Sequence, residues 1–398
     1  MINCINNYDS ASEQNKTRNE EYQRKINFQL FAGAATCANC HKDIYDKHIH
    51  NAHYLTSQPA FEKYIKGSFD VPDNSFSFSP AVEIKMEKRK DGYYQVEYKQ
   101  GIETKAKRFD IVVGSGTMGQ SYLYWMQNLL FQLPITYFTA AHKWSNSPGF
   151  PDTVVYNRLI TSRCMECHST YLKTLTSAGK EPEQFDQNQI LYGVQCEKCH
   201  GPAAMHVAYQ TKHPGDKIAK YILNPVSFTR LQKLEMCALC HGGRLQKTKP
   251  SFEFIPGDTL SNFFVIDSTA PDHNQIDVHG NQYGLLRAST CFKMSATLTC
   301  NSCHNVHENE RGMTAVFSQR CQSCHSNGHE KICKLTGSIG AAIHTNCIDC
   351  HMPVKKSKAI AVFLPGAPSA RAALIRSHYI SIYPEETKKV IEAMKSTQ

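Results

Sequence analysis

No run of about 18 or more apolar residues occurs anywhere in this 398-residue chain, so the sequence offers no membrane-spanning helix. The closest approach, Tyr122 to Ala141, is interrupted by Gln127, Asn128, Gln132 and Pro134. Residues 1–30 have no apolar stretch of the kind that forms the centre of an export signal. Apolar filling is also limited: 41% of residues are hydrophobic and mean hydropathy is −0.44. A nucleotide site lacks its context. Gly114-Ser115-Gly116-Thr117-Met118-Gly119 satisfies G-x-G-x-x-G after a plausible strand, yet no βαβ pattern follows, and Pro134 to Trp144 contains no acid to hold a ribose. It reads as a glycine-rich turn. No nucleophile, base and orienter set stands out either.

What is present is a repeat. Cys-x-x-Cys-His occurs seven times, at Cys37/Cys40/His41, Cys164/Cys167/His168, Cys196/Cys199/His200, Cys237/Cys240/His241, Cys300/Cys303/His304, Cys321/Cys324/His325 and Cys347/Cys350/His351. A shuffled chain of this composition would contain on the order of 0.03 such pentapeptides, so the repeat is not a by-product of composition. Paired Cys-x-x-Cys knuckles are also zinc half-sites. Zinc ribbons, however, have no reason to place His directly after every second Cys. Haem attachment does, because both thiols bond the porphyrin and the next residue must reach its iron. The pattern implies seven covalently attached haem c (heme c) groups and their iron.

Seven motifs leave about 57 residues each, too few for seven separate cores. The porphyrins themselves are therefore expected to supply much of the interior. The formal charge of +9 would ordinarily suggest nucleic acid or an anionic membrane. Roughly fourteen haem propionates and about seven ferric charges bring the oxidised holoprotein close to neutrality. Lys and Arg then read as propionate partners, and no nucleic-acid role is expected.

Such haems are attached outside the cytoplasmic membrane, which places the protein in the periplasm or on the outer-membrane surface, its export signal absent from this chain. Cys4 followed by the polar stretch Asn6 to Lys25 resembles the start of a lipoprotein; the alternative is a tail cysteine with no such role.

Along the chain we expect a flexible tail or lipoprotein tether at 1–30, a first haem segment at 31–60, a β-rich insertion at 61–160, a six-haem core at 161–360 and a C-terminal segment at 361–398. In the insertion, Ala81 to Lys90 and Tyr93 to Gln100 flank the turn signal Asp91-Gly92, and Thr104 to Val113 continues as a third strand. Tyr122 to Trp125 and Leu129 to Phe138 read as another hairpin, with a helix as the alternative. From Ile160 on, helices and Gly/Pro-punctuated loops are expected. Pro384 to Met394 reads as a terminal helix, acids first and lysines later. The fold class is thus mainly α and irregular, organised by stacked haems, with a small antiparallel β-rich insertion.

Twelve histidines lie outside the motifs: His48, His50, His53, His142, His206, His213, His273, His279, His307, His329, His344 and His378. Twelve exceeds seven, so every iron can receive a second imidazole, giving six-coordinate low-spin haems. The 11 Met show no comparable placement and read as core filling.

Taken together, the motifs, His50-Asn51-Ala52-His53, Cys199-His200-Gly201-Pro202 with His206 downstream, Cys303-His304-Asn305-Val306-His307 and Cys350-His351-Met352-Pro353 resemble the multihaem cytochrome c superfamily. It includes cytochrome c-554, hydroxylamine oxidoreductase and pentahaem nitrite reductase, and the cytochrome c-554-like electron-transfer members are the most similar. The resemblance spans nearly everything from Cys37 to Tyr383. It implies haems stacked in parallel pairs with perpendicular neighbours, and distal ligation by His53, His206 and His307, often to a haem other than the nearest in sequence. His279 and His378, then His344 and His329, follow as further distal ligands. All seven motifs end in His, whereas the active haem of the nitrite reductases usually has Lys.

Cys291 and Cys333 lie outside the motifs; a disulfide between them is one reading and a ligand or redox thiol another. Two functions compete, with a haem-bearing scaffold that docks partners as a third reading. The leading one is electron transfer through mostly bis-histidine haems, between a redox-protein donor and an acceptor. The other is an oxidoreductase acting on a small nitrogen or sulfur compound at one five-coordinate haem. Oligomeric state is not legible.

Overall fold

The computed structural model describes residues 26–177, 179–266, 280–325, 333–364 and 369–396. The proposed tether around Cys4 lies outside them.

The insertion is two sheets. In the first, β2 (Ser75–Ser79), β3 (Val82–Arg89), β4 (Gly92–Lys99) and β5 (Ile102–Arg108) form an antiparallel meander in chain order. It follows β1 (Ser57–Pro59), which belongs to the second sheet. The β3–β4 turn closes with Arg89 opposite Gly92, where Asp91-Gly92 predicted it. β3 alternates as a half-buried strand should, with Ile84 and Met86 inward and Lys85, Glu87 and Arg89 toward the rim.

The expected single strand Thr104 to Val113 is divided. It leaves the meander after Arg108, crosses at Phe109-Asp110, and re-enters the second sheet as β6 (Ile111–Val113). Asp110 accounts for the break, because its carboxylate accepts the Trp125 N–H at 2.7 Å and pairs with Arg108 at 2.7 Å. The second sheet then adds β7 (Gly119–Met126), β8 (Leu129–Gln132), β9 (Ile135–Phe138), β10 (Lys143–Asn146) and β11 (Arg158–Leu159). Its order is β1-β6-β7-β8-β11, with β9 pairing both β7 and β10. The aromatic stretch is thus a hairpin and not a helix: Met126 faces Leu129 across Gln127-Asn128. Gly114 to Gly119 is the turn between β6 and β7. Gly114 has φ +104°, and a Cβ there would lie 2.7 Å from the Gly119 carbonyl oxygen, so the glycines serve close backbone approach and not a phosphate.

Gln95 fastens the two sheets together. Fully buried on β4, its amide nitrogen donates to the Ile135 carbonyl at 2.7 Å and its oxygen accepts the Ile135 N–H at 3.1 Å. Between the sheets, Phe109 stacks on Tyr122 with ring centres 4.3 Å apart, and Trp144 packs against Phe69, Phe109, Tyr122 and Tyr137.

Beyond Ile160 the mainly α expectation needs correction. Helix accounts for 34% of the structure and strand for 25%. Three two-stranded antiparallel ladders lie in the region read as helices and loops: β12 (Ser169–Thr174) with β13 (Phe185–Tyr192), β14 (Gln246–Lys247) with β15 (Phe264–Val265), and β16 (Val354–Val362) with β17 (Arg371–Arg376). The physical reason is local. A motif turn fixes only five residues, and β12 begins directly after His168 with β-branched and aromatic side chains that pair with β13. The terminal helix forms over Pro384–Ser396, with Glu385 and Glu386 in its first turn and Lys395 in its last.

Apolar side chains cluster unevenly. One cluster fills the space between the sheets, and a second joins Ile111, Leu123 and Leu130 to Met165, Tyr171, Leu172 and Phe185 around the second motif. None of the described clusters draws on residues 300–351, which carry three motifs. That distribution is the one expected if cofactors supply the interior there.

Trp144 is fully buried and its indole N–H donates to the Ser68 carbonyl at 2.8 Å. Trp144→Ala should cost about 3–5 kcal/mol, measured by denaturant unfolding, and Trp144→Phe, which keeps most of the bulk, should cost less.

Candidate haem-binding site

The motifs adopt short helical turns, which bring cysteines three residues apart onto one side with the histidine adjacent. They lie in or at the ends of the helices Ala34–Cys37, Ser162–His168, Cys196–His200, Arg230–His241, Thr314–His325 and Cys347–His351, and in the 3₁₀ turn Cys300–Ser302. Arg230–His241 carries a full capping box from Thr229 and Gln232.

Tertiary folding brings motifs distant in sequence side by side. The thiols of Cys37 and Cys196 are neighbours, as are those of Cys167 and Cys240, and of Cys237 and Cys300. Cys199 neighbours Cys237, Cys303 neighbours Cys324, and Cys321 neighbours Cys347. The seven motifs thereby form one contiguous series, the second branching from the fourth. Burial and the adjoining thiolates push Cys321 up to about 12, burial coming first, and burial pushes Cys199 up to about 11.

Three histidine pairs share one spacing. His53 faces His241 with ring centres 6.1 Å apart, His200 faces His307 at 6.3 Å, and His304 faces His378 at 6.2 Å. Each pair joins one motif histidine to one from outside the motifs. A metal–imidazole bond of about 2.0–2.1 Å, with a further ~1.1 Å from nitrogen to ring centre, places two trans imidazoles about 6.3 Å apart across a metal ion. These donors therefore fit a six-coordinate haem iron. Burial, then neighbouring histidines, lowers His53 to about 4; burial, then His304, does the same to His378. Burial also lowers His200, His241, His304 and His307. All six are neutral near pH 7, the form that ligates.

Ring orientation is fixed by the protein. A carbonyl can only accept, so a ring nitrogen against one is the protonated nitrogen, and the other is left for metal. Nδ1 of His200 lies 2.9 Å from Leu223 O, and Nδ1 of His351 lies 2.9 Å from Ser381 O. Among the predicted distal residues, His206 places Nδ1 2.8 Å from Lys220 O, so its Nε2 is directed elsewhere. His168 Nδ1 meets the Thr56 hydroxyl at 2.9 Å. His344 departs from the expectation: its Nε2 lies 2.9 Å from Thr336 Oγ1, which occupies the nitrogen a ligand would use. His48 likewise commits Nε2 to Val194 O at 3.0 Å. His279 and His329 lie outside the described residues.

The loops carrying His53 and His307 are built alike and locked together. In each, an Asn two residues earlier accepts the histidine's own N–H, Asn51 at 3.0 Å and Asn305 at 3.1 Å. The Asn51 amide then donates to Val306 O at 3.0 Å and Glu308 O at 2.9 Å, and Lys47 pairs with Glu308 at 2.7 Å. The Asn-x-His pattern was visible in sequence; that one Asn joins both loops was not.

Sequence reading also passed over charged residues that bind one motif to another. Glu166, buried inside the second motif, accepts Phe252 N–H at 2.7 Å and pairs with Arg163 at 2.9 Å. Arg163 in turn donates to Leu239 O of the fourth motif at 2.8 Å. Arg320, one residue before the sixth motif, pairs with Glu310 and donates to Cys303 O of the fifth at 2.8 Å. Cys291 and Cys333 are free thiols, so the structure contains no disulfide there. Cys291 neighbours Cys303 and Cys321, whereas Cys333 neighbours Cys347 and Cys350. Among the described residues, no helix is long and apolar enough to cross a membrane.

Residues 151–201, which hold the second and third motifs, match the family described as cytochrome c554 and c-prime. The fold is similar to that in the crystal structure of the outer cell wall cytochrome OcwA, with a TM-score of 0.54 and 15% identity over 90% of this chain and 81% of that one. At that identity the likeness concerns the fold. Among curated proteins, none matches significantly.

Asn51→Ala removes two buried amide donors and should destabilise the native state by about 1–3 kcal/mol. Hydrogen exchange should quicken at His53, whose own N–H loses its acceptor.

Proposed function

We propose that the chain, a multihaem c-type cytochrome, carries electrons through seven covalently held haems, most of them ligated by two histidines. The observation that carries this reading is the recurrence of one spacing: three motif imidazoles each face a distant imidazole at 6.1–6.3 Å. Bound there, haem supplies one-electron Fe(III)/Fe(II) chemistry. The chain's own residues do the rest. Fourteen motif cysteines anchor the porphyrins. His241 with His53, His200 with His307 and His304 with His378 saturate three irons, and saturated coordination favours electron transfer over substrate binding. His41, His168, His325 and His351 are the proximal ligands of the other four, and His206, with its Nδ1 anchored, is a further distal ligand. The contiguous motifs supply the short separations between redox centres that electron transfer requires. Donor and acceptor are redox proteins that dock transiently. The haem chemistry favours a place outside the cytoplasmic membrane.

The intact mass of the denatured holoprotein should exceed that of the bare chain by seven haems. A smaller increment would lower the count, and zinc without porphyrin absorbance would end the reading.

Ring geometry makes a second forecast. The planes of His53 and His241 cross at 69°, whereas those of His200/His307 and His304/His378 meet at 17° and 28°. Near-perpendicular axial imidazoles give highly anisotropic low-spin electron paramagnetic resonance signals, and near-parallel ones give rhombic signals. Both types should be present. His53→Ala should remove one anisotropic signal, and His307→Ala or His378→Ala one rhombic signal, each variant gaining a high-spin haem of raised potential. Wholly low-spin spectra in all three variants would refute the ligand pairs; a high-spin haem in the unmodified protein would favour catalysis at an open iron.

A further inference from the structure

Glu197 lies between Cys196 and Cys199 and is 2% exposed, an unusual burial for a carboxylate without a cationic partner in its hydrogen-bond set. Both its oxygens are used. Oε1 accepts the N–H groups of Ala32 and Ala203, and Oε2 that of Gly33, each at 2.8 Å. The neighbouring acceptor Gln195 takes the next N–H, that of Ala34, at 2.9 Å. Three successive backbone donors leading into the first motif thus terminate on Glu197 of the third motif and on Gln195 immediately before it. The fourth donor, Ala203, lies just past Cys199-His200-Gly201-Pro202, so the same carboxylate also holds the third motif's exit turn. Immediately beyond this clamp, the Cys37 and Cys196 thiols are neighbours.

Resting on the haem reading above, we propose that Glu197 is a positioning residue that sets the separation of the haem held by Cys37 and Cys40 from that held by Cys196 and Cys199. Two haems packed only on each other can slide. A carboxylate anchored in one motif and accepting from the backbone of the other removes that freedom, and a buried acceptor whose donors would otherwise be orphaned is costly to displace. Electron transfer between the two centres, which falls steeply with separation, is then governed by a side chain that touches neither iron. Gln195 acts beside it on a single donor.

The test compares holoproteins of Glu197→Gln and Glu197→Ala with the parent, after intact mass and spin state have confirmed full loading in each. The amide of glutamine retains one acceptor oxygen, enough for Ala32 and Ala203, while its NH₂ faces Gly33; alanine retains none. Amide exchange at Ala32 and Gly33 should quicken by about tenfold in the alanine variant, and in the glutamine variant at Gly33 alone. The magnetic interaction between the two haems, and the splitting of their potentials in a spectroelectrochemical titration, should weaken in the same order. Unchanged interaction and splitting in Glu197→Ala would overturn the proposal. So would equal effects in both variants, which would assign the role to charge. Should the alanine variant fail to fold, Glu197→Gln and Gln195→Leu carry the comparison, with loss of protection expected at Gly33 in the first and Ala34 in the second. Incomplete loading of the parent protein would instead count against the haem reading itself.

Discussion

An imidazole has two nitrogens, and a histidine can serve an iron only if the protein determines which one faces it. In four histidines of this molecule the protein makes that choice. Leu223 and Ser381 give up carbonyl oxygens to the Nδ1 atoms of His200 and His351, Thr56 gives a hydroxyl to His168, and Lys220 gives a carbonyl to His206. Each of these oxygens comes from outside the segment that carries its histidine. The connecting segments are therefore not passive linkers; their backbone must stop where a ring nitrogen needs a partner.

The same economy explains how a chain with few apolar residues keeps seven motifs in order. Where the β sheets stand, aromatic packing around Trp144 and the Gln95 bridge provide an ordinary protein core. Where the last motifs crowd together, the described structure relies on charged and polar ties: Arg320 to Glu310 and Cys303 O, Arg376 to Asp349 and Met352 O, Ser318 to the Cys347 N–H. Buried polar groups can specify geometry when each is satisfied, and geometry is what a series of redox centres needs. Glu166 and Glu197 make such satisfied ties from positions between the two cysteines of their motifs.

Sequence patterns revealed more of the chemistry than of the architecture. Cys-x-x-Cys-His is a local code, because attachment and proximal ligation would act within five residues, and all seven motifs could be read directly. Asp91-Gly92 likewise marked its hairpin, and the alternating and aromatic stretches marked strands. Helix over-prediction beyond Ile160 has an equally local origin. The motif turns were legible, but the strands following them pair with partners up to tens of residues away, as Val354 does with Arg376. The division of Thr104 to Val113 between two sheets depended on Asp110 meeting Trp125 N–H, which no window along the chain displays.

Distal ligation divides along the same line. The sequence alone supplied the inventory, twelve histidines outside seven motifs. Tertiary structure alone decided that His53 faces His241, that His307 faces His200 and that His378 faces His304, because those partners are separated by 188, 107 and 74 positions. It also turned His344 onto Thr336 and kept Cys291 apart from Cys333. Residue type determines which atoms can bind a metal; only the folded path of the backbone determines which two of them meet across one.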